Sequence, residues 1–351
     1  MIDPELNDIL IALWRKGAKR LGPATQLLVE ETKFVAPVIA AIEKDLVGFI
    51  QSDAEKLPFL LYHWPLFYQE GLFILGEIPR SLGNVLSMGA PFGPYAVAAG
   101  TLGAREVTFL DENAFSLSTA ATIAGRLGVS LQSRRSTAKE SYDTIIVDNQ
   151  LPSPLEIGQL SSLLKPSGFL VLIDRAEKGE NKKMLQMRDH LVLSEGYAVQ
   201  APCVWKGACP ALATNFPCFA QAHLDKSFVM KEIQRYGHIE QNSLKMSYLI
   251  VRKKGAEWPT LPEEPLYRVV SGAMEGPSGK RFILCGTDGK KRLNLTLAKY
   301  PKEARALDYL KRGELIALHE ELRQGDDLFA GPGTTAKVVA AIGKPLEEPL
   351  E

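Results

Sequence analysis

Between Asn84 and Asp174 the chain repeats one pattern, a short apolar run of β-forming residues followed by a stretch of helix formers. The runs are Asn84-Val-Leu-Ser-Met88, Glu106-Val-Thr-Phe-Leu-Asp111, Tyr142-Asp-Thr-Ile-Ile-Val-Asp148 and Phe169 to Asp174. The stretches between them predict an Ala-rich helix through about Leu102, a helix from Ala120 to Leu127 and one at Leu160 to Leu164. Lys165-Pro-Ser-Gly168 reads as a turn before the last strand. Strands that alternate with helices pair in parallel and are covered on both faces, so the fold class is α/β, with a doubly wound parallel sheet. Residues 1 to 75 read instead as a helical lobe. Glu5 to Arg20 sets Leu6, Ile9, Leu10, Leu13 and Trp14 on one face and ends in Arg15, Lys16, Lys19 and Arg20, a solvated basic end. A second amphipathic run extends from Ala24 to about Ile50, with Pro37 as a break or kink.

In such a sheet, ligands bind beyond the carboxyl ends of the strands. The loop Gly89-Ala-Pro-Phe-Gly93 lies at the first of these ends, just before a helix start with free N–H groups. Asp111, twenty-two residues beyond Gly89, ends the next strand, where a carboxylate can accept both hydroxyls of a ribose. Gly89, Gly93, Asp111 and Asp148 are therefore candidate nucleoside-binding residues. Asp148-Asn149 is the first place to look for a catalytic base. The bland alternative is that the glycines make a tight turn and Asp111 caps a helix. Proline at 91 weakens the loop as a cradle, because it donates no backbone hydrogen bond.

The chain has four cysteines, Cys203, Cys209, Cys218 and Cys285, and none before 203. Three lie within sixteen positions, each beside a proline (Pro202, Pro210 or Pro217). Four thiolates suit a tetrahedral Zn or an iron–sulfur cluster. The gaps of five, eight and sixty-six residues are wider than the tight pairs of structural Zn sites and favour the bulkier cluster. Four unrelated buried thiols is the simpler alternative. The five histidines are scattered and form no metal motif, and no Walker loop or Ser-His-Asp pattern is present.

Lys and Arg together number 41, as do Asp and Glu, so bulk charge does not make the chain a polyanion binder. The zero balance hides basic stretches: seven basic against three acidic residues over 225–254, and ten against three over 278–313. Such stretches can neutralise phosphates. Lys245 to Arg252 reads as a strand, and Lys280–Gly289 with Lys291–Leu297 as a hairpin carrying Cys285. Glu314 to Arg323 reads as a helix and the remainder as a loose tail. The most apolar stretch, Pro58 to Leu75, is interrupted by His63, Pro65, Gln69, Glu70 and Gly71 and is too short to span a bilayer. Met1-Ile-Asp-Pro-Glu5 has no basic, apolar leader pattern, so a cytoplasmic location is expected, with no membrane partner.

Taken together, Cys203-x5-Cys209-Pro-x7-Cys218-Phe-Ala-Gln-Ala, Lys245-Met-Ser-Tyr-Leu and Leu-Cys285-Gly-Thr-Asp-Gly289 resemble the small-ribosomal-subunit assembly factors of mitochondria, a methyltransferase-like family with bacterial members. Arg20-Leu-Gly-Pro23-Ala24-Thr and Met187-Arg-Asp-His extend the likeness over roughly residues 15 to 300. The resemblance implies a class I methyltransferase-like, Rossmann-type sheet and a [4Fe–4S] cluster on Cys203, Cys209, Cys218 and Cys285, with Zn as the alternative. It also implies binding to small-subunit ribosomal RNA during assembly and translation, here expected of a monomer. The chain departs from the pattern. Ser87 stands where methyltransferases carry an acid, Pro91 replaces a glycine, Cys203-Val-Trp stands for Cys-Pro-His, and Pro217-Cys218-Phe-Ala for Trp-Cys-His-Phe. The S-adenosylmethionine pocket is therefore expected to be weak or vestigial. The alternatives are an active S-adenosylmethionine-dependent rRNA methyltransferase and a Zn-stapled protein-binding domain. The expected divisions are a helical lobe over 1–75, a Rossmann domain over 76–200, a metal and RNA module over 201–313, and a helix and tail over 314–351.

Overall fold

The computed structural model describes residues 4–23, 25–45, 57–136, 141–276 and 279–346. The chain divides into two compact units, one of residues 1–75, 81–152 and 223–244, the other of 76–80, 153–222 and 245–351.

In the first unit, α1 (Pro4–Ala18) and α2 (Val29–Lys44) form the expected helical lobe, and Pro37 lies inside α2 without ending it. The ends of that second run, at 24 and 46–50, fall outside the described residues. The basic end of α1 is not simply solvated. Arg15 is buried and holds Glu31, with Nη2 2.5 Å from Oε2 and Nε 3.1 Å from Oε1. Arg20 lies over the rings of Trp14 and Phe34. A buried pair of this kind fixes the approach of two helices because neither charge can be left alone. After a short 3-10 turn at Leu57–Leu61 comes α3 (His63–Leu75), buried along most of its length. No helix among the described residues is long and apolar enough to cross a membrane.

The sheet of this unit follows: β1 (Asn84–Met88), α4 (Pro94–Thr101), β2 (Glu106–Leu110), α5 (Ala114–Arg126), β3 (Leu131–Arg134) and β4 (Tyr142–Asp148). The strands are parallel, in the order β3-β2-β1-β4 of a Rossmann-type half. β3, Leu131-Gln-Ser-Arg, has one apolar residue and sits at the sheet's edge, which is why its pattern is silent in the sequence.

In the second unit, α6 (Pro154–Ser162) starts with a reciprocal cap between Ser153 and Glu156 and leads into β5 (Leu164–Asp174). β5 absorbs Lys165-Pro-Ser-Gly168, which is strand rather than turn. Next come α7 (Lys178–Asp189), β6 (Val199–Ala201), α8 (Pro210–Ala213) and β7 (Ala220–His223). α9 (Phe228–Gly237) belongs to the first unit and lies on α2. β8 (Ser243–Arg252) pairs antiparallel with β5 and β6.

The rest is a second sheet: β9 (Leu266–Val269), β10 (Met274–Gly276), β11 (Gly279–Gly286), β12 (Gly289–Thr296), α10 (Pro301–Ala306), β13 (Leu315–His319), β14 (Leu322–Gln324), β15 (Asp327–Phe329) and β16 (Thr335–Ala340). The strand order is β14-β15-β12-β11-β9-β13-β16, with β10 on β11. The β11–β12 hairpin is as expected. The helix expected at 314–323 is not there. Leu315-Ile-Ala-Leu318 is a strand whose alternate residues enter two cores, Ile316 and Leu318 with Phe282, Leu284 and Leu293, and Leu315 and Ala317 with Val204, Leu266 and Ala340. A run apolar on both faces has no period of its own, so Glu and Leu neighbours read as helix formers. The expected loose tail is strand as far as Ala340, and residues 347–351 lie outside the described set.

Asp174, at the end of β5, is 8% exposed and accepts a hydrogen bond from Arg175 N at 2.8 Å. Burial, with Glu180 adding, raises its pKa from 3.8 to about 6 against the opposing pull of Arg175 and Lys183. Through that window the folded chain keeps a proton that the unfolded chain releases, so this group's contribution to stability falls as pH rises from about 4 to about 6. Above pH 6 the buried charge costs about 3 kcal/mol. Asp174→Asn should raise the unfolding free energy at pH 7.5 by about 1–3 kcal/mol and give no gain at pH 4, read by chemical denaturation.

Candidate functional site

The Gly89–Gly93 loop stands where the sequence places it, at the carboxyl end of β1 and the start of α4. Its polar groups are already in use. Ala90 N donates to Asp148 Oδ1 at 2.7 Å, and Phe92 N to Ser116 Oγ at 2.8 Å. Trp64 Nε1, from α3, donates to Phe92 O at 3.0 Å. Pro91 has no N–H to offer. Residues 90–95 are all buried, and the Phe92 ring, with its backbone at φ 62°, lies against Phe59 and Phe115. The Phe92 ring thus packs into the bend.

The other two candidates are similarly engaged. Asp148 is 2% exposed and also accepts from Asn149 Nδ2 at 2.8 Å, so it ties the end of β4 to the loop. Asp111 accepts from Asn113 N at 2.9 Å, and Asn113 in turn caps α5. The cap of α5 is thus Asn113, and Asp111 holds the backbone of that cap. Gly89 is required by contact and by backbone. Its φ is 131°, and a Cβ there would stand 2.1 Å from Asp148 O.

The cysteines come together in the second unit. Cys203 follows β6, Cys209 caps α8, Cys218 precedes β7 and Cys285 lies on β11. All four line one cavity of about 40 Å³, with Leu185, Val270 and Ile283. Alternation along β11 explains how a cysteine sixty-six residues away arrives: Phe282 and Leu284 enter the core of the second sheet, and Ile283 and Cys285 face the other way. The ladder sets Cys285 opposite Lys290 on β12 and Arg268 on β9. Burial pushes the Cys285 thiol up to about 12, and the charges of Cys203 and Cys209 add to the effect. Burial likewise raises Cys218, helped by Cys203, Cys285 and Cys209.

α7 holds this arrangement. Asn181, 1% exposed, donates Nδ2 to Cys218 O at 2.7 Å and to Ser247 Oγ at 2.9 Å, while its Oδ1 accepts from Cys218 N at 3.1 Å. One helix face further along, both carboxylate oxygens of Asp189 accept from Cys209 N, at 2.9 and 3.0 Å. Arg188, 2% exposed, donates to the carbonyls of Gly207 and Trp205 between the first two cysteines, and to Asp189. Sequence reading noticed Arg188-Asp189 only as part of a likeness and assigned Asn181 no role. The signal was there, since Asn181, Arg188 and Asp189 recur at helical spacing on the face of Met184 and Leu185.

Three of the ten basic residues over 278–313 are paired with carboxylates. Lys280 pairs with Asp308, Lys291 with Asp326, and Arg292 with Asp327. Two of these acids lie beyond 313, on or next to β15, so the charge excess seen along the chain shrinks once the strands pair. Around the cysteine segment, Lys206 lies over Trp258, Lys290 over Phe216 and Arg312 over Phe219.

No family model and no curated protein matches this chain. Solved structures do. A ribosomal protein L11 methylase from Lactobacillus delbrueckii subsp. bulgaricus is 16% identical over 52% of this chain and 77% of its own, at a TM-score of 0.33. YcgJ from Bacillus subtilis is 16% identical over 56% of this chain and 100% of its own, at 0.34. TehB from Haemophilus influenzae is 15% identical over 49% of this chain and 57% of its own, at 0.31. Likenesses this low decide neither family nor activity.

As donors, four thiols around one cavity fit a group bound through soft sulfur ligands. Among the described residues no three His, Cys, Asp or Glu side chains are grouped to hold a single metal ion. For the loop, Gly89→Ala should cost about 3 kcal/mol or more in urea unfolding, because the residue would be strained and its Cβ would meet a backbone oxygen.

Proposed function

We propose that this chain is a methyltransferase-like iron–sulfur protein that binds small-subunit ribosomal RNA during ribosome assembly, and that its S-adenosylmethionine loop is vestigial. The observation that carries the reading is the convergence of all four cysteines, from segments as far apart as 203 and 285, on one cavity. The family resemblance supplies the cluster type and the RNA partner.

Each residue has a stated part. Cys203, Cys209, Cys218 and Cys285 would hold the [4Fe–4S] group. Asn181 and Asp189 fix the backbone of Cys218 and Cys209, and the β11 ladder fixes Cys285. Arg188, Arg268 and Lys290 bring positive charge to the thiolates. When bound, the cluster supplies a rigid four-point cross-link between segments that share no continuous element. That link shapes the surface carrying Lys206–Trp258, Lys290–Phe216 and Arg312–Phe219, cation–aromatic pairs of the kind that stack unpaired bases.

The vestigial loop is argued from its own hydrogen bonds. With Ala90 N, Phe92 N and Phe92 O all taken within the chain, an S-adenosylmethionine would have to displace a buried phenylalanine. Calorimetric titration of S-adenosylmethionine at millimolar concentration is expected to give no binding heat. A saturable heat there would favour the methyltransferase alternative.

Anaerobically prepared protein is expected to be brown, absorb near ~400 nm and carry about four irons and about four sulfides per chain. Colourless protein with one zinc per chain would overturn the cluster. Cys209→Ser should lose iron and become protease-sensitive between 200 and 300. Affinity for single-stranded segments of small-subunit RNA should fall with salt, with a log–log slope of about −2 if three phosphates are neutralised. A flat profile would remove RNA from the reading.

A further inference from the structure

Arg188 lies in the wall of the thiol cavity beside all four cysteines. It is 2% exposed, and five-donor guanidinium chemistry demands partners at that depth. Its Nη1 donates to Gly207 O and Asp189 Oδ1, at 2.5 and 2.6 Å, and its Nη2 to Trp205 O. Its Nε has no hydrogen-bond partner among the described residues. A buried, unpaired donor on a cation is destabilising, and such a cost persists where a ligand meets it. The groups nearby are soft acceptors. The Arg188 guanidinium shares the cavity wall with Cys203, Cys209, Cys218 and Cys285. The other cations of the site are differently placed. Arg268 spends Nε on Pro202 O and Nη1 on Gly313 O, at 2.9 and 2.7 Å, and Lys290 reaches Thr214 Oγ1 at 3.2 Å.

We propose that Arg188 is the positioning and charge-setting residue of the thiol site: its Nε–H donates to a sulfur of the bound cluster, and its buried charge favours the more negative, reduced state. The inference rests on the iron–sulfur reading above and adds to it a residue that carries no thiol. Hydrogen bonds to cluster and ligand sulfurs raise reduction potentials, and so does nearby positive charge. Arg188 supplies both from one side chain. Its two outer nitrogens hold the Trp205–Gly207 turn, so the cation cannot move away as the charge at the sulfurs changes.

The test compares the wild type with Arg188→Lys and Arg188→Gln, each reconstituted anaerobically with ferrous iron and sulfide. Iron and sulfide per chain are measured first, then the midpoint potential at an electrode that supplies the single electron. Arg188→Lys keeps the charge and loses the Nε donor; Arg188→Gln loses both. Both are expected to shift toward the oxidised form, the glutamine variant further, with the reduced-to-oxidised ratio at the wild-type midpoint falling about tenfold. A loaded lysine or glutamine variant with the wild-type potential would overturn the assignment of Arg188 and leave the cluster reading standing. A wild type that takes up no iron and sulfide would end the cluster reading itself. Failure of Arg188→Gln to load while its metal-free form melts at the wild-type temperature would support a direct contact. Should its metal-free form melt lower, the potential of the lysine variant decides.

Discussion

The second unit depends on polar groups of α7 buried against the cysteine segment. Buried Asn181 both donates to and accepts from the backbone of Cys218, and half-buried Asp189 accepts from Cys209 N. A group desolvated to this degree is a penalty unless its partners are in place, so it accepts one arrangement of the loop and rejects the others. Apolar contacts alone would tolerate several. The turns between Pro202 and Pro217 have little regular structure of their own, only the four residues of α8, and α7 therefore does for them what a ladder does for a strand. Cys285 needs no such help because β9 and β12 flank it on both sides.

The first unit shows the opposite use of the same principle. There the chain satisfies a ligand loop from within. Trp64, Ser116 and Asp148 hydrogen-bond the oxygen and amides of the bend, and Phe92 packs into it. A Rossmann-type order of strands is thus kept together with a bend held by the chain's own groups. Gly89 is required there by steric necessity against Asp148.

Much of the fold was legible because its strands are short apolar runs separated by helix-forming stretches. β1, β2, β4, β8 and the β11–β12 hairpin stand where their patterns place them. Two kinds of element escaped. β3 has too few apolar residues to register, and β13 too many, since both of its faces are buried. The charge count along the chain misses some pairings for a related reason. Lys291 and Arg292 read as free cations until β15, more than thirty residues on, brings Asp326 and Asp327 beside them. At the candidate site the sulfurs could be named from the sequence. Asn181, Arg188 and Asp189 could not be given roles, because a polar residue on an amphipathic helix announces its face but not its partner.

The place of β9 in the second sheet has a consequence for biosynthesis. β9 lies between β11, which carries Cys285, and β13. A nascent polypeptide that has emerged only as far as Cys285 already has every thiol, yet the strand beside that cysteine still lacks its outer neighbour until residue 319 has left the exit tunnel. The wall of the sulfur pocket is therefore among the last parts to set. Termination before residue 319 would leave the strand beside Cys285 without its outer neighbour, in an unfinished sheet.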